Sequence, residues 1–238
     1  DFAGTGVVHV FGGFAALACV LLLGPRLGKY DAVTGKSRAF PGHSMPLATI
    51  GLFILWFGWF GFNGGSLKNA HPEFLGLVVT NTAVGGAAGG LFAILLTPLL
   101  LKKPDLSMAI NGVLAGLVAV TGCADLILPQ HAMIAGAIGG GIVVLAILGL
   151  DRLKIDDPIG AIPVHGIGGL WGVMVPAVFA GGNWKWQALG GATYAITAFV
   201  FSFAVYGLMK ITIGIRATPE MERTGLDITE HGQEAYAA

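Results

Sequence analysis

DFAGTGVVHVFGGFAALACVLLL, from Asp1 to Leu23, is the stretch that decides how the rest of the chain is read. After its aspartate the run from Phe2 to Leu23 holds one histidine and no other ionisable group except Cys19. Its length is close to the ~20 apolar residues that cross a hydrocarbon layer ~30 Å thick. Six further runs of this kind follow: Met45 to Asn63, Phe74 to Leu96, Ser107 to Ala124, His131 to Leu150, Pro158 to Phe179 and Gln187 to Ile213. The chain therefore reads as all-α, a polytopic membrane helical bundle of about seven spans.

The first stretch has an echo in the sixth, DPIGAIPVHGIGGLWGVMVPAVF, from Asp157 to Phe179. His9 stands eight residues after Asp1 and is followed by Gly12 and Gly13, while His165 stands eight after Asp157 and is followed by Gly168 and Gly169. An alternating path sends the two spans through the bilayer in opposite directions. Inverted repeats of that kind place a shared site near the midplane, an arrangement used by membrane transporters. At 1.5 Å rise per residue each imidazole lies ~12 Å beyond its aspartate, so His9 and His165 are expected to meet near the middle.

Composition narrows the class further. The 238 residues are 55% hydrophobic and 11% charged, about half the charge of an ordinary soluble domain, which excludes disorder and disfavours a soluble fold. The mean hydropathy of +0.78 points the same way. Thirteen Lys and Arg balance thirteen Asp and Glu, so no nucleic-acid partner is expected and the partner implied is the lipid bilayer. Along an alternating path eleven of the thirteen cations fall on one side, leaving Lys68 and Lys185 on the other. Because cations are retained in the cytoplasm, Asp1 is expected outside, the Arg26 to Arg38 loop inside, and the C-terminus cytoplasmic, in a plasma (inner) membrane. Residues 1–217 read as the membrane domain and 218–238 as a polar tail. The first span begins flush with Asp1, a hint of missing upstream sequence.

Glycines four residues apart, Gly85 with Gly89, Gly86 with Gly90, Gly112 with Gly116, Gly136 with Gly140 and Gly168 with Gly172, are read as helix-packing surfaces. Asn81 and Thr82 are expected to hydrogen-bond between helices. Cys19 and Cys123 fall near opposite faces and are read as buried free thiols.

The chemistry concentrates elsewhere. Ionisable groups inside a bilayer are costly and commonly line a pathway, and two neutral imidazoles can share one hydrogen bond. With no Cys, Asp or Glu at ligand spacing beside His9 or His165, neither a metal nor a cofactor is expected. Asp157 reads as a helix cap or inner-side acid; for Asp1, capping and helping to hold a cation site remain equally open. The segment WFGWFGFNGGS, Trp56 to Ser66, puts Trp59, Phe62 and Ser66 on one helix face near the outer end. There a ring face can attract a small cation and a hydroxyl can accept one of its protons. An interfacial aromatic belt is the alternative, and it suits Trp184 and Trp186 better. No nucleophile and base occur together, so the chain is not read as an enzyme. Lys210 lies too near a span end to carry a retinal.

These strings resemble the Amt/Mep/Rh ammonium transporter family in its Amt branch: DFAG with VVH, WFGWFGFNGGS, NTAVGGAAGG from Asn81, DDP through VHGIGGLWG from Asp156, and GLDITEHGQEAY from Gly225. The resemblance covers nearly the whole chain and corresponds to the C-terminal seven spans of an eleven-span inverted-repeat fold. It implies a homotrimer with one narrow apolar pore per protomer. In that pore His9 and His165 would be the twin histidines, Phe62 the outer gate, Trp59 a lining ring, and Ser66 with Asp1 the outer ammonium site. It also implies that the tail, hinged at Gly225, couples subunits and cooperates with a PII-type signalling protein. Two local departures stand out: DFAGTG where the family usually has adjacent glycines, and Gly160 where many members carry an acid. The implied function is transport of ammonium or ammonia after cation recruitment and deprotonation. The alternative is an ammonium sensor signalling through the tail.

Overall fold

The computed structural model describes residues 1–68 and 71–236. Among them, a π-helical turn, Thr5–Val10, runs into α1 (Phe11–Leu23), followed by α2 (Met45–Gly65), α3 (Pro72–Leu101), α4 (Leu106–Thr121) and α5 (Pro129–Arg152). A second π-helical turn, Ile162–Ile167, runs into α6 (Gly168–Phe179), and then come α7 (Trp184–Thr212), α8 (Pro219–Thr224) and α9 (Leu226–His231). Six segments are long and apolar enough to cross a membrane, and α4, at 16 residues, is a shorter apolar helix continued by the turns at 122–126. The chain is thus an all-helical membrane bundle of six to seven spans. Local chemistry starts these helices where the apolar runs begin. Ser44, Asp105 and Asn183 each accept a backbone N–H of the first turn that follows, and proline stands in the first turn of α2, α3 and α5.

Helices α3, α4 and α5 form the tightest part of the bundle, and the glycine pairs explain it. A Cβ on Gly89 would strike the Gly112 carbonyl, one on Gly116 the Gly85 carbonyl, and those on Gly136 and Gly140 the Gly85 and Gly89 carbonyls. Only backbones without side chains approach that closely. Asn81 Nδ2 donates to the carbonyls of Ala124 (2.8 Å) and Ile127 (2.7 Å), and Asn63 Nδ2 donates to Thr82 Oγ1 (2.9 Å). These bonds satisfy buried amide N–H groups that the apolar surroundings would otherwise strand, while Oδ1 of both asparagines has no partner among the described residues. Large apolar side chains such as Phe57, Leu99 and Phe201 point outward, as a lipid-facing surface requires.

One end of the bundle is rich in cations. Arg26 forks onto Asp156 through Nη2 (2.7 Å) and Nε (2.8 Å), and Lys29 pairs with Asp151 (2.9 Å), so the segment after α1 is tied to the last turn of α5 and to the linker that follows it. Burial pushes the Asp156 carboxyl up, but the hydrogen bonds and charge of Arg26 outweigh it and hold it below the usual carboxylate range. Lys210 donates to the Leu22 carbonyl and Arg216 to the Leu23 carbonyl, placing positive charge at the C-terminal end of α1. Glu222 on α8 accepts from the Leu27 N–H (2.8 Å) and pairs with Arg216 (2.8 Å). The Leu27 N–H and then Arg216 hold its carboxyl below the ordinary value. Gly225, between α8 and α9, has φ +103°, a region that side-chain-bearing residues avoid, and Tyr236 lies against His43. Cys19 and Cys123 are free; Cys123 is buried, whereas Cys19 is half-buried because its face of α1 is only partly covered.

Candidate functional site

Two helices that begin in π-helical turns build the site. Asp1 accepts the N–H groups of Gly6 (2.7 Å) and Val7 (2.9 Å), and Asp157 accepts those of Ile159, Gly160 and Ile162 (3.2, 3.0 and 2.7 Å). Three residues after each aspartate stands a left-handed glycine, Gly4 at φ +98° and Gly160 at φ +82°. Each glycine offers its carbonyl to a valine N–H four residues on, Val8 or Val164, both at 3.0 Å. The His9 N–H also reaches back to the Gly4 carbonyl (3.3 Å), a five-residue span that widens the first turn. The expectation of regular α-helix from aspartate to histidine is therefore corrected. The chain needs a cap, a left-handed turn and a π-helical turn to seat each imidazole, and such turns are frequent at functional sites.

One glycine of each pair then sets how closely the two helices cross. A Cβ on Gly13 would overlap the backbone of Gly166, and one on Gly169 would press on the Val10 side chain (2.9 Å). With that space free, His9 and His165 meet, their Nδ1 atoms 3.1 Å apart and their rings stacked at 5.1 Å and 16°. One ring donates its Nδ1–H and the other accepts. Trp59 from α2 stacks on the outer face of His9 (5.1 Å, 14°), and Phe62 tilts against it at 6.0 Å. His9, Trp59 and Phe62 line an apolar groove of about 300 Å³ together with Val8, Ile54, Leu55 and Gly58. His9 Nε2 is buried and has no hydrogen-bond partner among the described residues.

The other candidate residues lie apart from this stack. Ser66 is half-buried just past α2, and its hydroxyl donates to the Phe62 carbonyl (2.9 Å), leaving the oxygen lone pairs free to accept. Asp1 lies at the end of the bundle where the Phe2 N–H bonds the Gly122 carbonyl (2.9 Å), and Asp157 follows Asp156 at the cation-rich end. Gly225 lies in the tail. Among the described residues no three His, Cys, Asp or Glu side chains converge as metal ligands. Sequence reasoning missed Thr121, which accepts the Trp59 indole N–H (2.8 Å), and it did not pair Gly4 with Gly160. The shared spacing D-x-x-G in the two motifs was the signal for the second; nothing local to Thr121 signalled the first.

Comparison with known proteins agrees with this architecture. The sequence profile of the Ammonium Transporter Family matches residues 1–236. Ammonium transporter Amt2 of Archaeoglobus fulgidus is 44% identical over 257 residues, covering 99% of this chain and 55% of that protein. Ammonium transporter Amt1 of Haloferax mediterranei is 40% identical over 253 residues, covering 99% and 49%. Among solved structures, one described as a sensor Amt protein superposes with a TM-score of 0.89 at 39% identity, over 97% of this chain and 60% of that one. Mep2 of Candida albicans superposes with a TM-score of 0.83 at 30% identity, over 92% and 53%. The chain spans about half the length of the curated relatives it matches. With twin histidines carried on two oppositely directed helices and a family match running through residue 236, this chain belongs to the Ammonium Transporter Family.

Proposed function

We propose that this chain supplies the histidine-bearing part of a conduction path for ammonium and ammonia. The observation that carries the reading is the Nδ1 contact of His9 with His165, between two oppositely directed helices and beside Trp59 and Phe62. A bare cation in hydrocarbon costs tens of kcal/mol by simple Born estimates, so an apolar groove disfavours any ion that cannot become neutral. Ammonium can lose a proton and potassium cannot. In this reading Ser66 and Asp1 face the cation before it loses its proton, Phe62 gates the groove, Trp59 lines it, and the imidazole pair offers a route for that proton. Asp157 caps the second of these helices. The membrane body, 1–217, would sit in a plasma membrane as part of a homotrimer, with the tail 218–238 cytoplasmic and open to a PII-type protein.

The test uses the protein expressed from its complete reading frame and reconstituted in liposomes. It should pass ammonium or ammonia and reject potassium, and His9→Ala or His165→Ala should impair proton-coupled flux or admit potassium. Potassium flux comparable with ammonium flux in the unaltered protein sinks the proposal. Wild-type behaviour of both variants returns the pair to a packing role.

A second reading, an ammonium sensor signalling through its tail, draws support from the likeness to a structure described as a sensor Amt protein and from Glu222 docked on the Leu27 N–H. Ammonium binding without flux, combined with a tail rearrangement that Gly225→Asp abolishes, would favour it over transport.

A further inference from the structure

Thr121 touches neither imidazole, yet three separate parts of the molecule meet on it. Its hydroxyl donates to the Leu117 carbonyl one turn back (2.7 Å), which commits the only proton that oxygen has. The oxygen can then act only as an acceptor toward Trp59, whose Nε1–H reaches it at 2.8 Å. The Thr121 carbonyl accepts the Ala3 N–H (3.0 Å), so the same residue holds the N-terminal segment that carries Asp1. Thr121 is fully buried and Trp59 is nearly so. Such an acceptor is not automatic here: the indole nitrogen of Trp56, also buried, has no partner among the described residues.

An indole with one fixed hydrogen bond has one preferred tilt. Trp59 lies 14° from the plane of His9, which in turn lies 16° from that of His165, so the inclination of the whole stack starts from the acceptor behind the indole. We infer that Thr121 is a positioning residue for the conduction path, setting the plane of Trp59 and through it the register of the His9–His165 pair. The inference rests on the conduction reading for its functional arm only. Without the acceptor the buried N–H must seek another partner, and turning toward the groove beside His9 is the open direction.

The experiment compares Thr121→Val, which keeps the shape and removes the acceptor, with Thr121→Ser, which keeps the acceptor, in the complete protein. Thr121→Ala is the fallback if the valine variant does not fold. In histidine NMR, Thr121→Val should move the His9 ring-proton resonance as Trp59 tilts, and Thr121→Ser should leave it in place. In liposomes the valine variant should lose ammonium-driven current by on the order of fivefold to tenfold, the size of one lost buried hydrogen bond. Serine should restore that current. An unmoved His9 resonance, or equal damage by serine and valine, overturns the inference. If the unaltered protein carries no ammonium current, the conduction reading fails while the NMR comparison still decides whether Thr121 sets the stack.

Discussion

The segments Asp1 to Gly13 and Asp157 to Gly169 share a backbone plan: a capping aspartate, a left-handed glycine three residues on, a π-helical turn, a histidine and a glycine pair at the crossing. Their surroundings differ. Val7 and Val8 are 54% and 47% exposed, whereas Val164 is 1% exposed. His9 carries Trp59 and Phe62 on its free side, while the ring contact of His165 is with His9. The second motif also holds Asp156 beside its cap, bound to Arg26. A duplicated local plan thus delivers two equivalent imidazoles, and the helices packed around them make the pair chemically unequal.

The harshest way to break this comparison is at the crossing. Gly13→Val would drive side-chain atoms into the Gly166 backbone and should cost about 3 kcal/mol or more, separating the imidazoles. Gly12→Ala meets nothing within 4 Å and should keep or raise stability, by up to about 1 kcal/mol, because alanine favours the helix. Thermal unfolding in detergent, read beside ammonium flux, checks both. Similar losses at the two positions would show that only one glycine of the pair making the crossing is a wrong account.

The caps offer a milder comparison. Asp157→Ala strands three N–H groups and Asp1→Ala strands two, so each should cost about 1 kcal/mol, with the larger loss at Asp157. Asp1→Asn keeps an acceptor and removes the charge. If it preserves the unfolding midpoint but lowers ammonium flux, Asp1 holds a cation as well as capping. An unchanged flux would leave it a cap alone.

The smallest effect concerns the carboxylate that sets the second motif apart. Arg26 holds the Asp156 carboxyl low against the opposing push of burial. The stability from this pair is therefore present above the unfolded carboxylate value of about pH 4 and is lost as pH falls through the lower folded value. Unfolding midpoints measured from about pH 5 down to pH 3 should decline less steeply in Asp156→Asn than in the unaltered protein. Identical slopes would remove Asp156 from the account of acid sensitivity.

Much of this architecture is legible in the amino-acid sequence. The spans follow from apolar length, and the twin histidines from their shared distance to an aspartate and a glycine pair. The cation-rich end can be marked because Arg26, Lys29 and their neighbours cluster along the chain. Regular α-helix is the wrong expectation between each aspartate and histidine. A π-helical turn has no composition of its own and becomes visible only through its five-residue bonds, from the His9 N–H to the Gly4 carbonyl and from the Gly168 N–H to the Pro163 carbonyl. Cys19 reads as buried from its apolar neighbours, but burial depends on which helix covers its face of α1.

What the sequence alone determined here is what a few neighbouring residues can enforce: membrane-spanning length, a carboxylate able to meet free N–H groups, and glycines that leave a helix face bare. Only the tertiary structure decided which bare faces meet, that Gly13 crosses at Gly166, that Trp59 lies on His9, and that Thr121 takes the indole proton. Those choices join residues as far apart as Gly13 and Gly166, and they rest on contacts whose partners are selected by the packing of the whole bundle. No local pattern carries that information.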